Sequence, residues 1–496
     1  MTTSKINLSR NTRVFFTTNI NPATGVLTDA ASGFTAANTH ELNVLDGYSF
    51  SQGTQQQIVS VSEAGSTPSR GQRAFNTQLD PVDWAISTYI RPCTLGSTIT
   101  AQERVLWNAL LGAGTLDASA GVTITVLARL TTAGATSAAA TVTVPVINHT
   151  VNGVTGPLGV GDVFNINGIV NNPTWNGPVM ITGAHTGTAY PVEYFEAPEV
   201  AAGLTGTGTP RAYTGQWGNS AGLGATRFSY ASTLASNRNQ LQRFALLFFV
   251  DNVIYCVDNC AMDQVSIDFG LDAITMGAWS GKGTILKELS VLTLAHISSN
   301  STLASLYTSA NTQYITNKLS TLTLESNIGG TQNTNGSLNF SYDIPITGGN
   351  LTISNNITYL VPANLGVVNN PINYFTGQRS ITGNITAYLK TGTAAVNVGA
   401  KGDAGNLLNT LLAAANTTTE PKYRMSLEVG GKTSVNRLEL EMPGVVLQIP
   451  SVNIADIVAC TINFTAQSYD PAINANGPGT FDLSRTNELL VKYFAA

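Results

Sequence analysis

Large apolar residues alternate with small or polar residues along much of the chain. Residues 84–90, 437–441 and 461–466 all follow this period of two. Such alternation predicts β-strands with one buried face and one face on solvent or on a partner. Asp251-Asn252 and Gly430-Gly431 separate apolar runs in the manner of hairpin turns. The pattern predicts a mainly β protein.

Two segments have the spacing of helices. The first follows Thr100, which can cap a helix together with Glu103 three residues later. The second covers residues 404–415. The apolar positions are Val105, Leu106, Ala109 and Leu110 in the first segment and Leu407, Leu408, Leu411 and Leu412 in the second. This i, i+1, i+4, i+5 spacing predicts two short helices with one buried side.

Both predicted helices occupy the same place in a longer pattern that occurs twice. A strand ending near Tyr89 precedes the first helix, and a strand ending near Tyr388, 299 positions later, precedes the second. A long hairpin follows each helix, at residues 244–257 and 423–442, and closing strands follow near Trp279 and Phe464. The sequence therefore predicts an internal repeat.

The first copy of the repeat is longer than the second. The spacing falls from 302 positions between Val105 and Leu407 to 184 between Asp272 and Asp456, a difference of 118. A Gly-, Thr- and Ala-rich stretch between Leu116 and Leu223 has about this length and contains short alternating runs. We predict a discontinuous first domain (1–116 and 224–300), a small inserted β-domain (117–223) and a second domain (301–496).

Charged residues make up only 11% of the chain, against about 25% in a typical soluble domain. We expect such a chain to bury much of its surface against partners. The net charge of −5 argues against phosphate clamping of nucleic acid. Four cysteines are too few for a disulfide scaffold, and both free buried thiols and disulfides between subunits are open.

The chain opens on Met1-Thr2-Thr3-Ser4-Lys5, without the apolar stretch of a signal peptide. Its apolar runs are shorter than the roughly 20 residues of a membrane span. We expect synthesis in a cytoplasm and no membrane binding.

No motif predicts catalysis. Ser220 lies in a G-x-S-x-G match, but the surrounding linker is Gly- and Thr-rich and only His296 follows it. Residues 277–284 have the wrong glycine spacing for a phosphate loop and lie on a predicted strand. The histidines, at His40, His149, His185 and His296, are isolated. We expect neither enzyme activity nor a cofactor or metal.

A helix on a β-sandwich, with a long hairpin and closing strands, resembles the tail tube proteins of long-tailed bacteriophages. Residues 75–84 (FNTQLDPVDW), 273–283 (AITMGAWSGKG) and 452–464 (VNIADIVACTINF) are similar to strands of those proteins. The resemblance covers residues 1–116, 224–300 and 301–490, and not the insertion. It implies two tandem tail-tube-like β-sandwich or barrel domains, each with one α-helix and a long hairpin.

In that family, domains pair edge strands into a hollow β-barrel with six domains per ring. A two-domain chain then implies rings of three copies of itself, stacked into a tube through which DNA passes without specific binding. The implied location is the phage tail of the virion. Tail sheath, tape measure and baseplate proteins are candidate partners.

Acidic residues recur on the two long hairpins. One interpretation is that they simply lie on solvated faces of the hairpins. The other is that they line a negatively charged lumen, if the hairpins form the inner barrel. We expect Glu439 and Glu441 to lie off the packed face. The candidate lumen-facing residues are Asp251, Asp258, Asp263, Asp268, Glu428, Glu439 and Glu441.

Two other functions compete with the tube. One is a virion baseplate or attachment protein whose inserted β-domain binds a receptor or glycan. The other is a hydrolase that uses Ser220. Assembly into tubes distinguishes the first from the tail tube, and loss of activity in Ser220→Ala would be required for the second.

Overall fold

We describe a computed structural model of the chain. The structure describes residues 12–28, 30–67, 69–96, 98–111, 113–116, 121–126, 139–143, 148–151, 154–157, 160, 163–167, 177–187, 189–194, 211–217, 225–229, 241–251, 253–308, 314–326, 341–365, 367–390, 403–414, 422–430, 436–454, 457–470, 480–481 and 488–494.

Strands dominate the described residues. The strands up to the predicted insertion are β1 (Thr12–Thr17), β2 (Thr39–Leu42), β3 (Ser49–Ser51), β4 (Thr54–Glu63), β5 (Ser69–Leu79), β6 (Val82–Tyr89), β7 (Pro92–Leu95), β8 (Thr98–Ala101) and β9 (Ala113–Leu116). Then come β10 (Gly121–Val126), β11 (Ala139–Thr143), β12 (Asn148–Val151), β13 (Val154–Pro157), β14 (Val163–Asn167), β15 (Gly177–Ile181), β16 (Ala189–Tyr194), β17 (Arg211–Trp217) and β18 (Ala225–Ser229).

The rest of the chain is built in the same way. It contains β19 (Phe244–Val250), β20 (Val253–Asp268), β21 (Met276–Gly283), β22 (Leu286–Glu288), β23 (Tyr307–Thr308), β24 (Thr321–Ser326), β25 (Ser341–Ser354), β26 (Ile357–Leu360), β27 (Asn373–Thr376) and β28 (Ser380–Tyr388). The last strands are β29 (Lys422–Val429), β30 (Arg437–Leu447), β31 (Ser451–Asn453), β32 (Ala459–Gln467), β33 (Tyr469–Asp470), β34 (Thr480–Phe481) and β35 (Leu490–Phe494). The helices of the described residues are α1 (Arg104–Leu110), α2 (Leu294–Ser298) and α3 (Ala404–Ala414).

The same strand pairings occur in both halves of the chain. In the first half β1 pairs with β19, β19 with β20, β20 with β21, and β21 with β6, all antiparallel. In the second half β24 pairs with β29, β29 with β30, β30 with β32, and β32 with β28. The alternation of residues predicted the mainly β fold, and the structure shows that its sheets are large and antiparallel.

The register of the strand pairs identifies equivalent residues in the two halves. Ile86 pairs with Trp279, and Ile385, 299 positions after Ile86, pairs with Ile462, 183 positions after Trp279. The spacing at the closing strands is therefore one position shorter than the predicted 184. The hairpin turns also match, since Asp251 and Gly430 both have positive φ angles, of 56° and 100°.

The two halves share one sheet. The end of β20 pairs with β25, with Gln264 opposite Ser354 and Asp268 opposite Asn350. β21 lies on the other side of β20, and β28 lies on the other side of β25. One apolar core contains residues of both halves, among them Trp84, Trp279, Leu351 and Phe464, all buried.

Strands inside the predicted insertion form a closed barrel in the order β10, β11, β16, β15, β14 and β17. Strands β10, β14 and β15 of this barrel lie in the Gly-, Thr- and Ala-rich stretch in which short alternating runs were found. The hairpin β12–β13 does not belong to it, because β12 pairs with β9. β9 in turn pairs with β18 beyond the barrel, which connects this region to the large sheet.

Strand β35, near the end of the chain, holds parts of both halves. It pairs with β30 on one side and with β18 on the other. The buried Tyr493 hydroxyl donates to Glu103 Oε1 at 2.5 Å, and Trp107 Nε1 donates to the Tyr493 oxygen at 2.7 Å. The strand therefore fixes the start of α1.

The predicted helices exist, with corrections to both. α1 begins after Glu103, and Thr100 lies in β8, so the predicted capping box is wrong. Its predicted apolar side is buried throughout. In α3, Leu407 and Leu411 are buried, but Leu408 is half-buried and Leu412 is 48% exposed. The buried side of α3 therefore includes Ala404, Leu407 and Leu411, and not the predicted Leu408 and Leu412. The five-residue helix α2 was not predicted.

Leu407→Asp tests this burial. Leu407 is fully buried, so the aspartate would place a carboxylate in the core. This costs on the order of several kcal/mol of folding stability. We expect insoluble protein or a strongly lowered melting temperature. Leu412→Asp, the same change on the exposed side of the same helix, is the control and should melt like wild type. Similar losses in both variants would contradict the orientation of α3.

The buried Glu103 carboxyl predicts a pH dependence of stability. Burial raises its pKa from 4.5 to about 7, and the Tyr493 hydrogen bond opposes this only in part. Because the pKa is higher in the folded state, the protonated carboxyl contributes its full stabilisation below pH 4.5. This contribution to the free energy of unfolding is lost as the pH rises through about 7.

Glu103→Gln removes the titration and keeps an oxygen acceptor for Tyr493. Urea unfolding of both proteins at pH 5 and pH 8.5 should show the variant gaining stability relative to wild type at the higher pH. Each unit by which the pKa differs between the folded and unfolded states changes the free energy of unfolding by about 1.4 kcal/mol. Parallel pH profiles would contradict the assignment.

Candidate assembly surface and channel wall

Eight strands form a continuous sheet across both halves. Their order is β3, β6, β21, β20, β25, β28, β32 and β31, and every neighbouring pair is antiparallel. We call this the shared sheet. Its first four strands belong to the first half of the chain, and its last four belong to the second half.

One face of the shared sheet packs inside the chain. Side chains of this face are large and almost completely buried, because period-two alternation directs every second residue inward. Its members include Trp84, Ile86, Val265, Ile267, Trp279, Leu351, Ile353, Ile385, Ile462 and Phe464.

The opposite face, which we call the polar face, carries small, hydroxyl and amide side chains. Cross-strand pairs on it include Ser87 with Ala278, Ser266 with Thr352, Thr382 with Thr465, and Asn384 with Asn463. Its only charged residues in the paired register are Asp83, Lys282 and Asp268, and Lys282 Nζ lies 2.6 Å from Asp83 Oδ1. The polar face is therefore nearly neutral.

Both ends of the shared sheet have an open edge. Among the described residues, β3 pairs only with β6, and β31 pairs only with β32. Ser49 and Ser51 are exposed, as are all three residues of β31. Unpaired edges of this kind are sites for adding another strand.

The acidic residues of the first half lie in four different environments. Asp251 is exposed at the hairpin turn. Asp258 is buried, accepts the Leu27 backbone N–H at 2.9 Å and lies 2.6 Å from Lys287 Nζ. Asp263 is half-buried at a register shift of β20 and accepts the Ile357 N–H at 2.9 Å. Asp268 is exposed on the polar face.

The acidic residues of the second half are buried together. Glu441 is completely buried and lies 2.6 Å from Lys492 Nζ of β35. Glu439 accepts from Arg437 Nε at 2.9 Å, and Glu428 accepts from the Thr321 hydroxyl at 2.5 Å. Burial, with the neighbouring Glu439 adding to it, raises the pKa of Glu441 to about 8 against the opposing effect of Lys492.

The expectation that Glu439 and Glu441 lie off the packed face is therefore wrong. Glu428 is opposite Glu439 in the β29–β30 ladder, away from the polar face. Aligning the hairpin turns and registers of the halves makes Phe249, Ile254 and Cys256 the counterparts of Glu428, Glu439 and Glu441. The lumen assignment of the seven acidic residues stays a prediction, because it concerns a ring and the structure is one chain.

Three basic residues on the strands of this cluster and on the neighbouring β35 were not predicted from the sequence: Arg424, Arg437 and Lys492. Arg424 and Lys492 are buried. The signal was present as alternating charges at Arg437, Glu439 and Glu441 on a strand that otherwise reads as buried.

The motifs set aside on sequence grounds lie in different parts of the chain. Ser220 lies outside the described residues. Residues 277–283 belong to strand β21, and Lys282 pairs with Asp83. No group of His, Cys, Asp and Glu side chains suited to a metal occurs among the described residues. His40 is buried, whereas the ring of His296 accepts the Thr293 N–H in a capping box.

All four cysteines are free and buried in the chain. Burial raises the pKa values of Cys256 and Cys260 well above normal, so both thiols stay protonated. Within the described part of the chain, no helix combines the length and hydrophobicity that a membrane crossing needs.

Comparison with known proteins finds a similar protein from a bacteriophage. No protein-family model matches the chain. The tail tube protein pb6 of Escherichia phage T5 is 24% identical over 478 residues, which cover 94% of this chain and 73% of the relative. The similarity spans both halves rather than one shared motif. The chain is thus a relative of a phage tail tube protein, which confirms the resemblance inferred from its sequence.

Proposed function

We propose that this chain is the structural subunit of a hollow phage tail tube, with three chains in each ring and DNA passing through the lumen without specific binding. The observation that carries the proposal is the shared sheet, in which four strands of the first half and four strands of the second half form one continuous antiparallel sheet. A tube wall needs this kind of sheet-to-sheet continuity. The similarity to a T5 tail tube protein supports the structural, non-enzymatic role.

Each half is one tube domain in this proposal. The support is the repeated ladder β1–β19–β20–β21–β6, which recurs as β24–β29–β30–β32–β28. Because each chain has two such domains, a ring of three chains contains six domains. Residues 117–223 form a small inserted domain, supported by the closed barrel of strands between residues 121 and 217.

The polar face of the shared sheet is the proposed channel wall. Its hydroxyl and amide side chains offer DNA neither a strong attraction nor a strong repulsion, since the one cation, Lys282, is paired with Asp83. A smooth profile favours transit, whereas unpaired lysines would each add a salt-sensitive phosphate contact. Of the seven acidic candidates, Asp268 is the one that we retain for the wall.

The proposed location is the virion tail, after synthesis in the host cytoplasm. The chain contacts copies of itself within and between rings. Tail sheath, tape measure and baseplate proteins are its further candidate partners. Ring closure would also cover the open edges of β3 and β31, which would otherwise promote disordered aggregation.

Electron microscopy of the purified protein tests the structural role. We expect hollow tubes or stacked rings at high protein concentration. A folded protein that stays monomeric, or forms isolated trimers without polymerising at any concentration or salt, would contradict the tail tube proposal.

The wall assignment is tested in phage that carry Thr382→Lys and Asn463→Lys. Both residues are exposed on the polar face, so tubes should form normally while DNA ejection slows by about an order of magnitude, with partial recovery at high salt. Asn300→Lys, an exposed position next to helix α2, is the control. Ejection at the wild-type rate in intact Thr382→Lys, Asn463→Lys particles would contradict the wall assignment.

A further inference from the structure

The pairing of β20 with β25 inside one chain, which we call the internal junction, is a model for how two chains can join. In the internal junction, Ser266, Ile267 and Asp268 of β20 lie opposite Thr352, Leu351 and Asn350 of β25. Ile267 and Leu351 are both completely buried there. The internal repeat supplies equivalents of both strands at the two open edges of the shared sheet.

The equivalent of this part of β20 is β31. Ser266 pairs with Ala278, and Ser451 pairs with Thr461, which lies 183 positions after Ala278. The same spacing relates Trp279 to Ile462 in the ladders with β6 and β28. Ser451, Val452 and Asn453 therefore stand where Ser266, Ile267 and Asp268 stand in the first half.

The equivalent of this part of β25 is β3. Ser49 pairs with Ala85, and Asn350 pairs with Asn384, which lies 299 positions after Ala85. Ser49, Phe50 and Ser51 therefore correspond to Asn350, Leu351 and Thr352. All four segments have one large apolar residue between two polar residues.

Exposure distinguishes the joined edges from the open ones. Val452 is 42% exposed, although its counterpart Ile267 is completely buried. Phe50 is only half-buried, against Phe248 and Tyr255, although its counterpart Leu351 is completely buried. Each open edge therefore lacks the apolar neighbour that the internal junction provides.

We propose that β31 of one chain pairs antiparallel with β3 of the next chain, with Ser451 opposite Ser51, Val452 opposite Phe50, and Asn453 opposite Ser49. The occupant of each edge is thus a second copy of this chain. The pairing buries Val452 against Phe50 and repeats the internal junction at each boundary between chains. The proposal rests on the tail tube function and specifies the surface and register by which the ring closes.

Cysteine cross-linking tests the register, because the native cysteines are buried. Residues directly opposite in a ladder have Cβ atoms about 4.5–5.5 Å apart, whereas diagonal neighbours are about 7–8 Å apart. Ser51→Cys with Ser451→Cys, and Ser49→Cys with Asn453→Cys, are the matched pairs. Ser49→Cys with Ser451→Cys is the control, on the same face but two residues out of register.

On mild oxidation of assembled protein, we expect the matched pairs to form covalent dimers and trimers at least about tenfold faster than the control. Equal or faster cross-linking of the control overturns the register. Cross-linking of Ser451→Cys alone overturns the pairing in favour of β31 with β31. Tubes that form without any cross-link overturn the pairing and leave the tail tube function intact, whereas wild-type protein that never forms tubes overturns both.

A second substitution keeps the test independent of cysteine chemistry. Val452→Asp places a charge at the proposed contact but on a residue exposed in the single chain, so the monomer should fold and melt like wild type while tubes are lost. Val291→Asp, at a position that is 75% exposed and on neither edge, should still assemble. Normal tubes from folded Val452→Asp protein would overturn the pairing.

Discussion

The antiparallel pairing of β20 with β25 is the interaction on which the rest of the structure depends. It joins the sheets of the two halves edge to edge, so that one face of the shared sheet is polar over its whole width and the other is apolar. Without it, each half would expose an edge in the middle of the chain. Among the described strands of the shared sheet, the edges at β3 and β31 remain unpaired.

The two halves keep the same strand pairings but differ in the interior behind the long hairpin. In the first half, Phe249, Ile254 and Cys256 pack in an apolar cluster with Leu292 and Ile297 of the segment around α2. At the corresponding positions, the second half has Glu428, Glu439 and Glu441, together with the buried Lys492. Hydrogen-bond ladders set the fold in both halves, whereas the chemistry of this interior has diverged.

The alternation of apolar and polar residues predicted the strands well, because a strand with one buried face places every second side chain in the core. The strand-helix-hairpin order also predicted where equivalent strands would fall, to within one residue at Trp279 and Ile462. Alternation alone could not show which exposed-looking carboxylates are buried. Glu439 and Glu441 are next to residues that arrive from distant strands, such as Lys492. The capping of α1 failed for a similar reason, since Thr100 is paired in β8.

The most direct test of the account is the symmetry of the assembled tube in an electron microscopy reconstruction. We expect rings of three chains in which eight strands from each chain, from β3 to β31, form the inner wall with the polar face toward the lumen. A ring of six chains, or a map with β6, β21, β28 and β32 on the outer surface, would contradict it.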